Sequence, residues 1–321
     1  MADQGSVSEI PKAELHCHMD GILDARMVAD LLREGQDLGL RPEQLDLPWP
    51  EHPTMEDFVR CPYHGLTAPA LNPPERRLLI LEWHIRRLTE QNVTYAEVML
   101  NGLLFAYEDE GKTRELFQSF HDMAVKAAKG KVRVVFLAAI ARGPREKIER
   151  QTDRIMMLHK AGLIAGVALA GDEGACAVES LTDIFERLKA TGMGIEIHAG
   201  EGMGPESVWD ALENGYPDRI GHGAAVFQDE KLLEEVRKRN IHIEMCPTSN
   251  VKTGSVSSIE EHPIRKANEL KMNFSINTDD PGIFGCSMDS EFGLLRKTFG
   301  FTAEDFNRIH QNTLQAGMVT L

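Results

Sequence analysis

Polar residues stand at the ends of apolar runs throughout the chain, and several are of types that do chemistry together: His16 and His18, His198, Glu201, His222, and the adjacent Asp279 and Asp280. In Ala13-Glu14-Leu15-His16-Cys17-His18 the two histidines occupy positions i and i+2. On a β-strand that spacing puts both imidazoles on one face, close enough to share a metal ion. Two imidazoles turned toward an interior are costly unless a metal or hydrogen bonds satisfy them. Ile195-Glu196-Ile197-His198 and Ser275-Ile276-Asn277-Thr278-Asp279 offer two more ligands, again at strand ends. Three ring nitrogens and one carboxylate, with room for water, describe a catalytic zinc site and not a closed structural one.

The other reactive positions are weaker taken singly. In His198-Ala199-Gly200-Glu201-Gly202 the histidine can bind metal while the glutamate reaches a substrate as proton donor or acceptor. In Ile220-Gly221-His222-Gly223 the flanking glycines let backbone and ring come near a ligand; alone, His222 reads equally as a turn residue. Asn277-Thr278-Asp279-Asp280-Pro281 offers two carboxylates, one for metal and one pointing elsewhere, although an Asx-turn before proline also fits. His52, His64, His84, His121, His159, His242, His262 and His310 read as surface or satisfied core groups.

The elements that must position these residues alternate between short β-rich runs and longer amphipathic stretches. Strands are expected at Ala13–His18, Thr94–Leu100, Val132–Ala139, Gly166–Leu169, Gly194–His198, Arg219–Gly221, His242–Cys246 and Asn273–Asn277. Helices are expected at Arg76–Glu90, Arg114–Lys129, Arg145–Ala161, Ala177–Ala190 and Asp229–Arg239, among others. This rhythm predicts an α/β chain folded as a distorted (β/α)8 barrel of the TIM type, whose active site lies at the strand C-termini. An open doubly wound sheet would carry a glycine-rich phosphate turn after its first strand; here His16-Cys17-His18-Met19-Asp20-Gly21 stands instead. The Pro-rich segment at about 40–74 interrupts the rhythm, and its Trp49, Phe58, Tyr63 and Leu66 suit a packed lid inserted into one domain spanning 1–321.

Composition narrows the partners. The 321 residues are 42% hydrophobic and carry a formal charge of -15, which argues against nucleic acid or a membrane surface and suits a small neutral or cationic substrate. The five cysteines are dispersed without a C-x-x-C, so neither a disulfide framework nor a zinc finger is expected. Met1–Pro11 lacks the pattern of a signal peptide, and no apolar run reaches membrane-spanning length, so a cytoplasmic location is expected.

Taken in order, His16-Cys17-His18-Met19-Asp20-Gly21, Leu169-Ala170-Gly171-Asp172-Glu173, His198-Ala199-Gly200-Glu201, Arg219-Ile220-Gly221-His222-Gly223, Pro247-Thr248-Ser249-Asn250 and Asn277-Thr278-Asp279-Asp280-Pro281 resemble the motifs of the adenosine deaminase family. The resemblance runs from about Pro11 to the C-terminal end. It implies a barrel holding one zinc ion through His16, His18, His198 and Asp279. It further implies that Glu201 exchanges a proton with purine N1, that His222 orients the attacking oxygen, and that Asp280 holds that oxygen and contacts N7. The Gly171 backbone would meet N3, and Asp20 the ribose 5′-hydroxyl. A zinc ion would bring the pKa of water toward ~7, and a glutamate of raised pKa could protonate N1. Hydrolytic deamination of adenosine or 2′-deoxyadenosine is the activity implied. Adenine, an N6-substituted purine or an aminodeoxyfutalosine-like nucleoside are the alternative substrates. Ala168 and Met99 depart from the family pattern, standing where Asp and Arg are common. A dinuclear amidohydrolase lacks its bridging lysine near Ala168-Leu169-Ala170-Gly171, and retention of Glu201, His222 and both carboxylates argues against a non-catalytic purine-binding scaffold.

Overall fold

A computed structural model describes residues 6–319. Its centre is one sheet of eight parallel strands in sequence order: β1 Lys12–Glu14, β2 Val93–Asn101, β3 Arg133–Ala141, β4 Gly166–Ala170, β5 Gly194–Ala199, β6 Arg219–His222, β7 His242–Met245 and β8 Phe274–Ile276. Parallel strands covered by helices read as continuous apolar runs because both faces are buried. β4 and β8 are buried at every position. The sheet closes on itself beyond the regular ladder: His18 N–H donates to Asp279 O at 2.8 Å, and Asp279 N–H to His16 O at 3.0 Å. The (β/α)8 barrel expected from the sequence is therefore what the chain forms.

Element bounds follow local hydrogen bonding. Regular β1 ends at Glu14, and His16–His18 continue beside β2 and β8 through single bridges, Cys17 with Asp279 and His18 with Met99. The helix expected to begin at Arg114 begins at Glu110, because the Asp109 carboxylate accepts from Lys112 N–H. The helix expected at Ala177–Ala190 divides into a 3₁₀ turn, Val178–Leu181, and a helix, Thr182–Lys189. Asp210 is the cause, since its carboxylate takes the N–H groups of Val178 (2.6 Å) and Glu179 (2.9 Å).

The segment 40–74 folds into a 3₁₀ turn at Pro42–Leu45 and short helices at Met55–Val59 and Tyr63–Thr67. Trp49 and Phe58 place their rings 5.7 and 5.4 Å from that of Phe284, and the Tyr63 hydroxyl donates to Leu23 O at 2.7 Å. The contacts lie at the C-terminal ends of the strands. Met99 and Ala168, the two departures noted above, are fully buried and share one apolar cluster with Leu137 and Ala139. At these two positions the chain thus packs apolar groups against one another. Among the described residues no helix is long and apolar enough to cross a membrane.

Candidate metal centre and active site

Three rings from two strand ends converge in the barrel mouth. The centroids of His16 and His18 are 5.3 Å apart, those of His16 and His198 4.5 Å, and those of His18 and His198 5.2 Å. Asp279 Oδ1 lies 3.4 Å from Nε2 of both His16 and His18, and Nε2 of His18 lies 3.1 Å from Nε2 of His198. Four ligands ~2.0–2.1 Å from a tetrahedral zinc are ~3.3 Å from one another, and the pairs His16–Asp279, His18–Asp279 and His18–His198 show that spacing. His16 Nε2 is buried with no hydrogen-bond partner, an orphaned acceptor aimed at the same point. The donor set fits a zinc ion.

Each ring is held from behind. Nδ1–H of His16 faces Glu244 Oε2 at 2.7 Å, that of His198 faces Glu196 Oε1 at 3.0 Å, and that of His18 faces Asn101 Oδ1 at 3.2 Å. With the proton fixed on Nδ1, every Nε2 lone pair is left for the centre, the usual support behind metal-ligating imidazoles. Glu244 is anchored in turn by Arg219, which also donates to Glu97 at 2.6 Å. Burial alone would raise the Glu244 carboxyl, but Arg219 and His16 outweigh it and bring it down to about 2. Ser249 Oγ donates to Asp279 Oδ2 at 2.7 Å and leaves Oδ1 for the ring cluster. Burial, with the neighbouring imidazoles adding to it, lowers the pKa of His18 and His198. Burial acts likewise on His16, but Asp279 and Glu244 outweigh it and favour a proton there; a cation among the ligands would take that proton's place.

Gly221 explains how the cluster fits. A Cβ at that position would lie 2.1 Å from Glu196 Oε1 and about 3 Å from the rings of His16 and His198. The glycine beside His222 thus makes room for the histidine supports, not for a ligand. Gly21 does the same for Asp280, whose Oδ1 would lie 1.8 Å from an added Cβ. His222 and Asp279 adopt left-handed backbone (φ 60° and 64°), strain of the kind that collects at functional sites.

Beyond the ring cluster lies a cavity of about 590 Å³ lined by His18, Asp20, Gly171, His198, Glu201, His222, Asp279 and Asp280, within the size range of small-molecule sites. All the residues singled out from sequence except His16 border it, and His16 sits directly behind, fully buried. His222 Nε2 lies 3.5 Å from Glu201 Oε2. Burial raises the Glu201 carboxyl well above its ordinary value, with the charges of Asp279 and Glu173 adding to the effect. Burial likewise raises Asp280, reinforced by Asp279. Asp280 makes no side-chain cap on the short helix Pro281–Phe284, so an Asx-turn is not its role.

Hydrogen bonds also set the tautomer of His222. His262 Nδ1 accepts from Ile264 N–H (3.0 Å), so its Nε2–H donates to Asn250 Oδ1 (3.1 Å). The Asn250 amide then donates to His222 Nδ1 at 3.1 Å, leaving the proton of neutral His222 on Nε2, toward Glu201. Asp20 Oδ1 pairs with Arg77 Nε at 3.2 Å, and the helix Ala25–Arg33 is capped by Asp24 instead.

A family model described as adenosine deaminase matches residues 11–320. The chain belongs to the adenosine deaminase family. Its relatives in that family differ in substrate. An aminodeoxyfutalosine deaminase of Streptomyces coelicolor is 30% identical over 98% of this chain and 81% of its own length. An adenine deaminase of Agrobacterium fabrum is 26% identical over 97% and 95%, and an adenosine deaminase of Shewanella loihica 26% identical over 98% and 96%. Among solved structures, an adenine deaminase from Arthrobacter aurescens superimposes with TM-score 0.81 at 22% identity, covering 97% of this chain and 94% of that one. A zinc-bound amidohydrolase from Burkholderia ambifaria gives 0.79 at 21%, covering 98% and 87%.

Sequence reasoning missed what stands behind the family motifs: Glu196, Glu244, Asn101, Ser249, Asn250 and His262. A signal was present for two of them. Glu196 and Glu244 are carboxylates inside otherwise apolar buried strands, Ile195-Glu196-Ile197 and Ile243-Glu244-Met245, and a buried charge must be paired.

Proposed function

We propose that the chain hydrolyses the exocyclic amine of a 6-aminopurine, releasing ammonia, with adenosine or 2′-deoxyadenosine as substrate. One observation carries the reading: Asp279 Oδ1 lies 3.4 Å from Nε2 of both His16 and His18, His18 Nε2 lies 3.1 Å from Nε2 of His198, and Glu201, His222 and Asp280 border the cavity beside them. His16, His18, His198 and Asp279 would hold a zinc ion, which supplies Lewis-acid activation of water near neutral pH.

The chain's own groups do the rest. Glu201, its carboxyl raised by burial, gives a proton to purine N1 as C6 accepts the water oxygen. His222, proton on Nε2, donates a hydrogen bond to that oxygen and so acts as an orienting donor and not as a base. Asp280 holds the oxygen from its other side and reaches N7. Gly171, left-handed at φ 89°, offers its backbone to N3. The two protons that the water loses balance the step: one restores the Glu201 carboxyl and the other passes to the C6 amine, which departs as ammonia and leaves the 6-oxo purine. Residues 40–74 act as the lid of a single deaminase domain, contributing Met55, Phe58 and Val59 to the cavity wall.

A second reading, a free base such as adenine, is favoured by the Asp20–Arg77 pair, which already occupies the carboxylate expected to meet a ribose hydroxyl. The deciding experiment is ammonia release and ultraviolet change across adenosine, 2′-deoxyadenosine and adenine. Preferred turnover of a nucleoside supports the first reading, and preferred turnover of adenine the second. No ammonia from any member of the panel would contradict both.

A further inference from the structure

Glu173 closes the Leu169-Ala170-Gly171-Asp172-Glu173 motif and has been assigned no contact with the reacting atoms, only a charge that helps raise the Glu201 carboxyl, yet it is buried (7% exposed) at the cavity wall. Its carboxylate accepts three successive backbone amides: Gly200 N–H on Oε2 at 2.8 Å, then Glu201 N–H at 2.8 Å and Gly202 N–H at 2.7 Å, both on Oε1. The Ser207 hydroxyl adds a fourth bond. From the other side Arg142 donates to His198 O at 2.7 Å and to Cys176 O at 2.7 Å. The turn from His198 to Gly202 is thus gripped at its carbonyl by a guanidinium and at its amides by a carboxylate. Gly200 is left-handed (φ 72°), and a Cβ there would lie 2.8 Å from Val208 and 2.9 Å from Ala225, so the turn has little room to relax.

We propose that Glu173 is a positioning residue that fixes Glu201, with Arg142 as the opposing half of the clamp; the inference rests on the catalytic role assigned to Glu201 above. A carboxylate suits the task because its two oxygens offer about four lone-pair sites for four donors, whereas a glutamine offers one oxygen and turns an NH₂ toward backbone N–H groups. Displacing a reacting group by about 1 Å can cost on the order of 10²-fold in rate. Glu196 holds the His198 ring independently of Glu173, so metal binding should survive loss of the clamp.

The test is Glu173→Gln in the zinc-loaded protein, with Ser207→Ala as a milder variant that removes one bond and introduces no amide. Amide hydrogen exchange at 200–202 is expected to accelerate while β5 stays protected and zinc content is unchanged. kcat on whichever 6-aminopurine turns over is expected to fall ~10- to 100-fold. Added to Glu201→Gln, the Glu173→Gln change should cost less than about twofold more, since residues acting through one group are not additive. Unchanged exchange at 200–202, near-normal kcat, or losses that multiply in the double variant would overturn the proposal. Full activity of Glu201→Gln alone would instead break the role of Glu201, and hydrogen exchange would still test the clamp.

Discussion

The two ends of the cavity are built differently. At the metal end every functional atom is buried and held from behind, His16 by Glu244 and Arg219, His198 by Glu196, His18 by Asn101, and Asp279 by Ser249. At the outer end Asp20 and Arg77 pair while partly open to solvent, and Arg60 pairs with Glu56 in the 40–74 segment with most of both side chains exposed. Charges in the first setting are barely screened and tolerate no loose geometry, whereas surface pairs contribute roughly 0–1 kcal/mol. The chemistry is therefore committed by the fold, while the substrate's far end meets groups that can rearrange. Such a division is consistent with a family whose members named above share a barrel and differ in the purine they act on.

The largest effect is expected at the junction of the two ends. Glu201→Gln keeps the shape and hydrogen-bonding reach of the side chain but removes its acidic proton, so kcat should fall ~10²–10⁴-fold. Zinc content and thermal stability should stay near wild type. A variant retaining most of its kcat would place the N1 proton donor elsewhere and dissolve the contrast drawn here.

The barrel was legible because buried parallel strands announce themselves as apolar runs, and because polar residues closing such runs in Leu15-His16 and Ile197-His198 have no reason to be there except chemistry. Supporting residues were less legible. Ser249 and Asn250 reach the site from the helix Pro247–Lys252 after β7; their motif was visible in the sequence, but their pairings with Asp279 and with His222 and His262 join residues distant in sequence, and nothing local marks those. Asp20 shows the converse: its motif position was clear, but its partner Arg77 begins a helix 57 positions away, and the competing role as a helix cap belongs to Asp24.

A smaller effect should come from the histidine supports. Glu244→Gln leaves an oxygen to accept from His16 but removes the charge facing Arg219, and outer partners of metal ligands are typically worth ~10–100-fold in metal affinity. Competition with a chelator would measure it; an unchanged affinity would mean that the buried network is structural and not part of the metal site. Smallest is the outer end. Asp20→Ala should lower kcat/KM for adenosine by ~10-fold, the weaker part of the range for one hydrogen bond to a carboxylate, because Arg77 already shares that charge. Turnover of adenine should hardly move at matched folded fraction. Equal losses on both substrates would remove the sugar contact.

The central claim is that four atoms from three strand ends, two of them from the segment after β1, form one metal cage. Elemental analysis of metal-replete protein tests it most directly, comparing wild type with His198→Ala. The geometry predicts about one zinc per chain in wild type and little in the variant, with the fold retained by circular dichroism. Wild-type protein without bound transition metal, or a His198→Ala variant that keeps its full complement, would contradict it.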